Sequence, residues 1–418
     1  WKRYDLLKIP IGPGSVRVPC EQDVPLPFQR SHDRTHVLVS LGKVPAMGLR
    51  RYALTETTGQ SPASSSDCLQ VTPDHLENRF FRLRLDETGA IVSIWDKRYG
   101  REMIAEGARA NSFQIFEDRP MANEAWDIDI YYQNKTIELK ELVSSMPVEH
   151  GPLRGGLKQQ RKFLSSQILQ YIYIYDEIPR IDFITEIDWR QHQTLLKTAF
   201  PLNLHSTRAA YEIPFGVIER PTHWNTDWDK ARFEVAAQKW ADLSEGDYGV
   251  SLLNDCKYGY DVKDNVIRLT LIKSGIDPDP MADIGLHRFS YALYPHSGDW
   301  RIGGTVRMAY EFNYPLMLYP MAGPPLAGSD DSYSFVTSSS DNLVVETVKK
   351  AEDRPGLIIR VYETYNQRGH ASLIFGEKLK KAVACNCLEE EQGPVDFHDY
   401  TLKFYIKPFQ LRTFYVEF

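Results

Sequence analysis

The sequence predicts an all-β protein made of stacked sheets, and three features point that way. Short runs alternate apolar with polar residues and end in Gly, Asp, Asn or Pro, as half-buried strands do. Aromatic residues make up 12% of the chain, with 23 Tyr and 19 Phe, which favours pleated structure. Helix signals along the chain are weak.

In chain order, Phe81, Leu83 and Leu85 alternate with arginines. The DETG turn at 86–89 then leads into AIVSIW, a hairpin with glycine at its turn. Residues 168–175 alternate isoleucine with tyrosine, and DEIP reverses the chain. The returning strand puts Ile181, Phe183, Ile187 and Trp189 on one face and Asp182, Glu186, Asp188 and Arg190 on the other. Residues 266–272 alternate again. Residues 343–348, 357–362, 372–375 and 402–418 follow at the spacing of an immunoglobulin-like sandwich. Pro408 inside the last run predicts an edge position or a bulge, because proline cannot donate to a ladder. Residues 230–240 (KARFEVAAQKW) have some helix propensity, but Phe233, Val235 and Ala237 fit a strand, which is the reading taken.

Two joints divide the chain. Residues 58–67 (TGQSPASSSD) and 320–331 (PMAGPPLAGSDD) are rich in Gly, Ser and Pro. They mark off a small N-terminal β-segment (1–58), a large β-domain (68–322) and a C-terminal β-sandwich (332–418).

Composition narrows the partners. A net charge of −7 and a pI near 5.9 argue against nucleic acid, which needs a basic surface. No run of 18 apolar residues exists, so no membrane partner is expected. Five cysteines are few and odd in number, which suits a reducing cytoplasm. The chain starts at Trp1 without a methionine or signal peptide and is expected to be a truncated piece of something longer.

Glycoside hydrolysis needs two carboxyl groups, one as acid and one as nucleophile or base. Asp127, Asp129, Glu212, Asp227, Asp229, Asp255 and Asp283 are available, but a chain with 56 acidic residues supplies such pairs by chance. The bland alternative is a turn-making residue. The histidines fall singly, apart from His32 and His36, which enter a strand-like run. Cys385 and Cys387 lack a second ligand pair, and no G-x-S-x-G elbow or phosphate loop occurs. The densest polar stretch runs from 212 to 261, with Trp224, Trp228 and Trp240 beside amides, carboxylates and Arg220. Those are the ingredients of a sugar site, where rings stack on C–H faces and polar groups bond hydroxyls. They are equally the ingredients of a sheet core with polar loops.

Several long motifs carry a resemblance. YEIPFGVIERPTHWNTDWDKARFEVAAQKWADLSEGDYGVSLLNDCKYGYD, DPDPMADIGLHRFSYALYPHSGDW, NEAWDIDIYY, GPLRGGLKQQRKFLSSQILQYIYIY, DWRQHQTLLKTAFPLN and KPFQLRTFYVEF run in one order along the whole chain. Together they resemble the C-terminal, non-catalytic half of glycoside hydrolase family 38 α-mannosidases of the bacterial cytosolic type. The resemblance implies a β-supersandwich of the galactose-mutarotase-like kind flanked by smaller β-domains.

It also implies that zinc and the catalytic aspartate belong to an N-terminal domain, opened by an H-x-H-x-D run that this sequence lacks. No catalytic or metal residue is therefore assigned here. Expected partners are that missing catalytic domain and a mannose-containing oligosaccharide. A homo-oligomer is also expected, formed through the apolar face the missing domain would leave bare. By position in the motifs, Asn254, Asp255, Lys257 and Tyr258, with Arg220, His223 and Asn225, are expected to touch substrate or the domain interface. Two readings compete: a free-standing carbohydrate-binding β-protein, and a mutarotase-like enzyme using His287 with Glu212 as acid and base.

Overall fold

Strict alternation decides the centre of the protein. The computed structural model describes residues 1–11, 16–21, 24–57, 69–320 and 332–418. Ile168, Ile172 and Ile174 lie on the strand Ser166–Tyr175, and Ile181, Phe183, Ile187 and Trp189 lie on Ile181–Trp189; all are buried in one core. The strands pair antiparallel with Ile172 opposite Phe183, so the two-residue side-chain period gives one continuous apolar face.

These strands belong to a nine-stranded sheet. Its order is Leu142–His150, Arg154–Phe163, Ser166–Tyr175, Ile181–Trp189, Gly285–Ser297, Tyr248–Asn254, Trp240–Ser244, Arg208–Ile213 and Gly216–Pro221. A six-stranded sheet shares its core, ordered Thr136–Glu138, Ser112–Glu117, Thr194–Pro201, Val266–Ser274, Gly259–Lys263 and Val235–Ala236. Phe183 and Tyr291 of the first sheet meet Phe200 of the second, with Phe183 5.7 Å from Phe200 between ring centroids. This is the expected β-supersandwich. A five-stranded sheet holding the Phe81–Leu85 and Ile91–Asp96 hairpin adds Phe81, Leu83 and Ile94 to the same core. The hairpin turns on Gly89 at φ +72°, a conformation that favours glycine.

At the chain's start, Arg3–Pro10, His36–Val44 and neighbouring short strands enclose a separate core of Leu7, Ile9, Val18, Phe28, Val37 and Val39. At its end, a four-stranded and a five-stranded sheet close on Leu373, Phe375, Leu402, Ile359, Phe414 and Val416, making a sandwich. Ser332–Ser334 pairs with Gly48–Arg50, so the last segment is stitched to the first. The joint at 58–67, and all but Pro320 of the joint at 320–331, lie outside the described residues.

Three expectations change. Pro408 sits neither at a sheet edge nor in a bulge but in a tight turn. It splits the last run into Thr401–Ile406 and Leu411–Glu417, which belong to different sheets, because its fixed φ and missing N–H suit the turn. Residues 230–240 are strand only at Val235–Ala236 and at Trp240 itself, and a short helix, Asp227–Lys230, overlaps their start. A two-and-a-half-turn helix, Thr305–Asn313, went unforeseen. Val306 and Ala309 place it on the outer face of the nine-stranded sheet, against Trp240 and Leu253 and beside Tyr362 of the C-terminal sandwich. Asp182, on the strand face opposite Ile181, is buried on this side, bonded by Arg180 (2.6 Å) and the Tyr175 hydroxyl (2.7 Å).

Candidate functional site

The strand Tyr248–Asn254 is wholly buried, and the chain must turn at its end to reach Gly259–Lys263 in the opposite sheet. Asn254 makes that turn. Its Oδ1 accepts from the Lys257 N–H (2.8 Å), while its Nδ2 donates to the Gln238 carbonyl and the Tyr260 hydroxyl (both 2.7 Å). With no exposed surface and its amide fully bonded, Asn254 shapes the loop from beneath and has no group free for a sugar. Asp255 is exposed, yet its Oδ2 accepts from the Ser290 N–H (2.9 Å) and pins the loop to the neighbouring strand. The Lys257 ammonium lies 4.8 Å from the Phe289 ring centroid. Tyr258 is half exposed. Cys256 is exposed as a residue, but partial burial of its thiol, with Asp255 beside it, pushes its pKa up to about 12, so it stays a thiol.

The second predicted group lies elsewhere. The Asp264 N–H donates to the Thr222 carbonyl (2.7 Å), and the Lys263 ammonium sits 4.0 Å from the Trp224 ring centroid. His223 and Asn225 therefore sit beside the far end of Gly259–Lys263, roughly 15 Å from the 254–258 loop along that strand. Asn225 is exposed there; His223 stands 3.7 Å from Asp229. Arg220 lies between the groups, its guanidinium over Tyr211 and donating to the Ala236 carbonyl (3.3 Å). Partial burial lowers its pKa. The seven residues do not form one site.

Nor do the tryptophans. Trp240 is buried against Trp300, Trp224 is covered by Lys263, and Trp228 stands 79% exposed. Asp129, Asp229 and Glu212 are occupied with local structure. Asp129 accepts from the Met121 N–H, Asp229 caps the helix at Thr226, and Glu212 holds Lys239. Burial raises the Glu212 pKa against the pull of Lys239.

The mutarotase-like pairing of His287 with Glu212 fails on geometry. Their strands stand three positions apart in the sheet, about 14 Å across. Registers through Leu253 and Trp240 put them about 17 Å apart along the strands. Alternation also turns them to opposite faces: His287 shares the side of Phe289 and Tyr291, while Glu212 alternates with the core residue Tyr211.

What the sequence reading passed over is Glu124, in NEAWDIDIYY. Its carboxylate accepts from Gln193 Nε2 (2.7 Å) and the Ile276 N–H (2.6 Å), and its carbonyl accepts from Lys273 Nζ (2.6 Å). One residue thus ties three loops together. Asn123, at positive φ, was the faint sequence-level signal, since asparagine enters that region more readily than most non-glycine residues.

Residues 76–281 match the profile described as the glycosyl hydrolases family 38 C-terminal domain, and residues 342–414 match the family 38 C-terminal beta sandwich domain. The chain belongs to glycosyl hydrolase family 38. Both matched family 38 parts are C-terminal, and together they cover more than half of the sequence. Among curated proteins, alpha-mannosidase 2C1 of Mus musculus is 38% identical over 348 residues, covering 81% of this chain. Alpha-mannosidase G of Dictyostelium discoideum is 34% identical, also over 81% of the chain. The chain spans about a third of those relatives (33% and 32%). An alpha-mannosidase structure from Enterococcus faecalis V583 superimposes with a TM-score of 0.76 at 16% identity, covering all of this chain and 55% of that one. This family 38 chain shares that fold.

Among the described residues, no three His, Cys, Asp or Glu side chains converge to hold a metal. The zinc implied by the family resemblance finds no such cluster among the described residues.

Proposed function

We propose that this chain is the C-terminal β-region of a longer, zinc-dependent retaining α-mannosidase of the cytoplasm, which removes terminal α-linked mannose. In this reading the zinc and the catalytic carboxylates reside on the upstream domain. The three parts 1–58, 68–322 and 332–418 supply a rigid base, and Asp255, Lys257 and Tyr258 finish the wall of the sugar pocket. The observation that carries the reading is the pair of consecutive family 38 C-terminal matches on a chain one third as long as its α-mannosidase relatives. The geometry supports it as well, because Asp129, Asp229, Asp255 and Glu212 serve turns, a cap and an ion pair. The test is hydrolysis of an aryl α-mannoside. The longer protein should turn it over and the 418-residue chain should not; turnover by the 418 residues alone would sink the proposal.

A further inference from the structure

The helix Thr305–Asn313 is fastened at both of its ends to the strand Tyr248–Asn254, which runs directly into the 255–258 loop. At its start the Thr305 hydroxyl meets that of Ser251 at 2.7 Å, and Ser251 donates to the buried Asp242 carboxylate (2.8 Å). At its end Asn313 Nδ2 donates to the Asn254 carbonyl (3.0 Å) and to the Ala309 carbonyl one turn back (2.9 Å). From Thr305 to Asn313 the helix rises about 12 Å, and from Ser251 to Asn254 the strand runs about 10 Å, so the one fits along the other. Val250 and Leu252 belong to the core between the sheets, which turns Ser251 and Leu253 outward to meet the helix.

The same helix is joined to the C-terminal sandwich. The hydroxyls of Tyr310 and Tyr362 lie 2.8 Å apart, and Val306 and Ala309 share one apolar cluster with Val344 and Tyr362. The Lys239 ammonium sits 4.5 Å from the Tyr310 ring centroid, and the Lys239 carbonyl accepts from the Asn254 N–H (3.0 Å). Both backbone polar groups of Asn254 are therefore held by residues that the helix supplies or touches. The Asn254 side chain in turn fixes the Lys257 N–H, so a displacement of Asn254 passes straight into the loop. Groups that must sit within a fraction of an ångström of a ligand are held in this way from behind.

We infer that the helix Thr305–Asn313 is a strut through which the C-terminal sandwich sets the 255–258 loop, with Asn313 as its positioning residue. The inference rests on the proposed function for what the loop serves. Where Asp255, Lys257 and Tyr258 wall a sugar pocket, Asn313 governs substrate binding from behind the loop without touching the sugar. The strut also gives residues 332–418 a task at the site, although their own core lies apart from it.

Hydrogen exchange and steady-state kinetics of the longer protein test this, with Asn313→Ala and Tyr362→Phe. Asn313→Ala should speed exchange of the 255–258 amides about 10-fold and leave those of Ile181–Trp189 unchanged. KM for an aryl α-mannoside should rise about 5-fold with kcat within about twofold, the mark of lost binding without lost chemistry. Tyr362→Phe removes a single hydroxyl and should speed loop exchange about 3-fold; it decides alone if Asn313→Ala does not fold. Unchanged exchange at 255–258 overturns the inference. Equal acceleration at Ile181–Trp189 also overturns it, because the contact is then merely structural. Faster loop exchange with unchanged KM keeps the strut and rejects the pocket wall. If the parent longer protein turns over no mannoside, the proposed function falls and loop exchange decides the strut by itself.

Discussion

Replacing Lys197 with methionine should cost the central core about 3–5 kcal/mol, the range for leaving a buried charge uncompensated. The Lys197 side chain has no exposed surface, and its ammonium lies between Asp261 (2.7 Å) and Glu234. Arg268 Nε bonds the other Asp261 oxygen at 2.7 Å, and the Thr270 hydroxyl donates to Glu234 at 2.7 Å. Two cations and two anions balance. Burial alone would lower the Lys197 pKa, but Asp261 and Glu234 overcome it and hold the ammonium above its ordinary 10.5. A raised lysine pKa gives stability that is complete below that ordinary value and lost only as pH rises through the folded one. The lysine's own contribution should therefore be constant from pH 6 to 9. Burial, by contrast, raises the Glu234 pKa against the pull of Lys197, so the carboxylate contributes most at low pH. Methionine keeps the length and apolar stem but leaves a net negative charge beneath Tyr132 and Phe233. For a core of this size the melting temperature should fall by about 6–20 °C. Adding Glu234→Gln to Lys197→Met should restore at least about 1 kcal/mol by removing the stranded anion. Thermal and urea unfolding followed by tryptophan fluorescence reads both variants. A single variant within about 1 kcal/mol of the parent, or a double variant no better than the single, refutes the reasoning.

Asn254→Ala should destabilise the core by about 1–3 kcal/mol, because it leaves the Gln238 carbonyl and the Lys257 N–H without their Asn254 partner, while the Tyr260 hydroxyl keeps its bond to the Leu252 carbonyl. Tyr258→Ala should stay within about 0.5 kcal/mol in the same urea titration. Burial would raise the Glu149 pKa, but Arg154, with His32, holds it below its ordinary 4.5. That stability is present above 4.5 and lost as pH falls through the folded value, and Gln29 Nε2 donates to the same carboxylate. Amides of His36–Val44 should therefore lose hydrogen-exchange protection at pH 3 before those of Ile181–Trp189 do; simultaneous loss would count against it. Gly89→Ala should cost about 1–2 kcal/mol in thermal melts, because φ is +72° and a β-carbon would come within 2.7 Å of Arg161 and Gln159.

Much of the fold was legible in local pattern. Ile181, Phe183, Ile187 and Trp189 announced their sheet face, and Asp86 to Gly89 announced its hairpin, because side-chain period and turn conformation are properties of neighbouring residues. The helix Thr305–Asn313 was not legible. It is barely more than two turns long, and its buried face has meaning only against Trp240 and Leu253. Pro408 was correctly read as a disturbance and incorrectly placed, since a proline announces a break without saying which sheet each half will join.

The candidate site shows the same division more sharply. The sequence determined that Asn254, Asp255, Lys257 and Tyr258 form one polar loop, and its motifs determined the family. It also set Arg220, His223 and Asn225 within forty residues of that loop, which suggested a single constellation. Only the tertiary structure decided that Gly259–Lys263 holds His223 and Asn225 away from the loop, that Asn254 lies beneath the surface, and that Glu124 joins loops distant in sequence. Local pattern fixes which face of a strand a residue occupies. Which end of a sandwich two loops share depends on strand order and register, and those arise from contacts between residues tens to hundreds of positions apart.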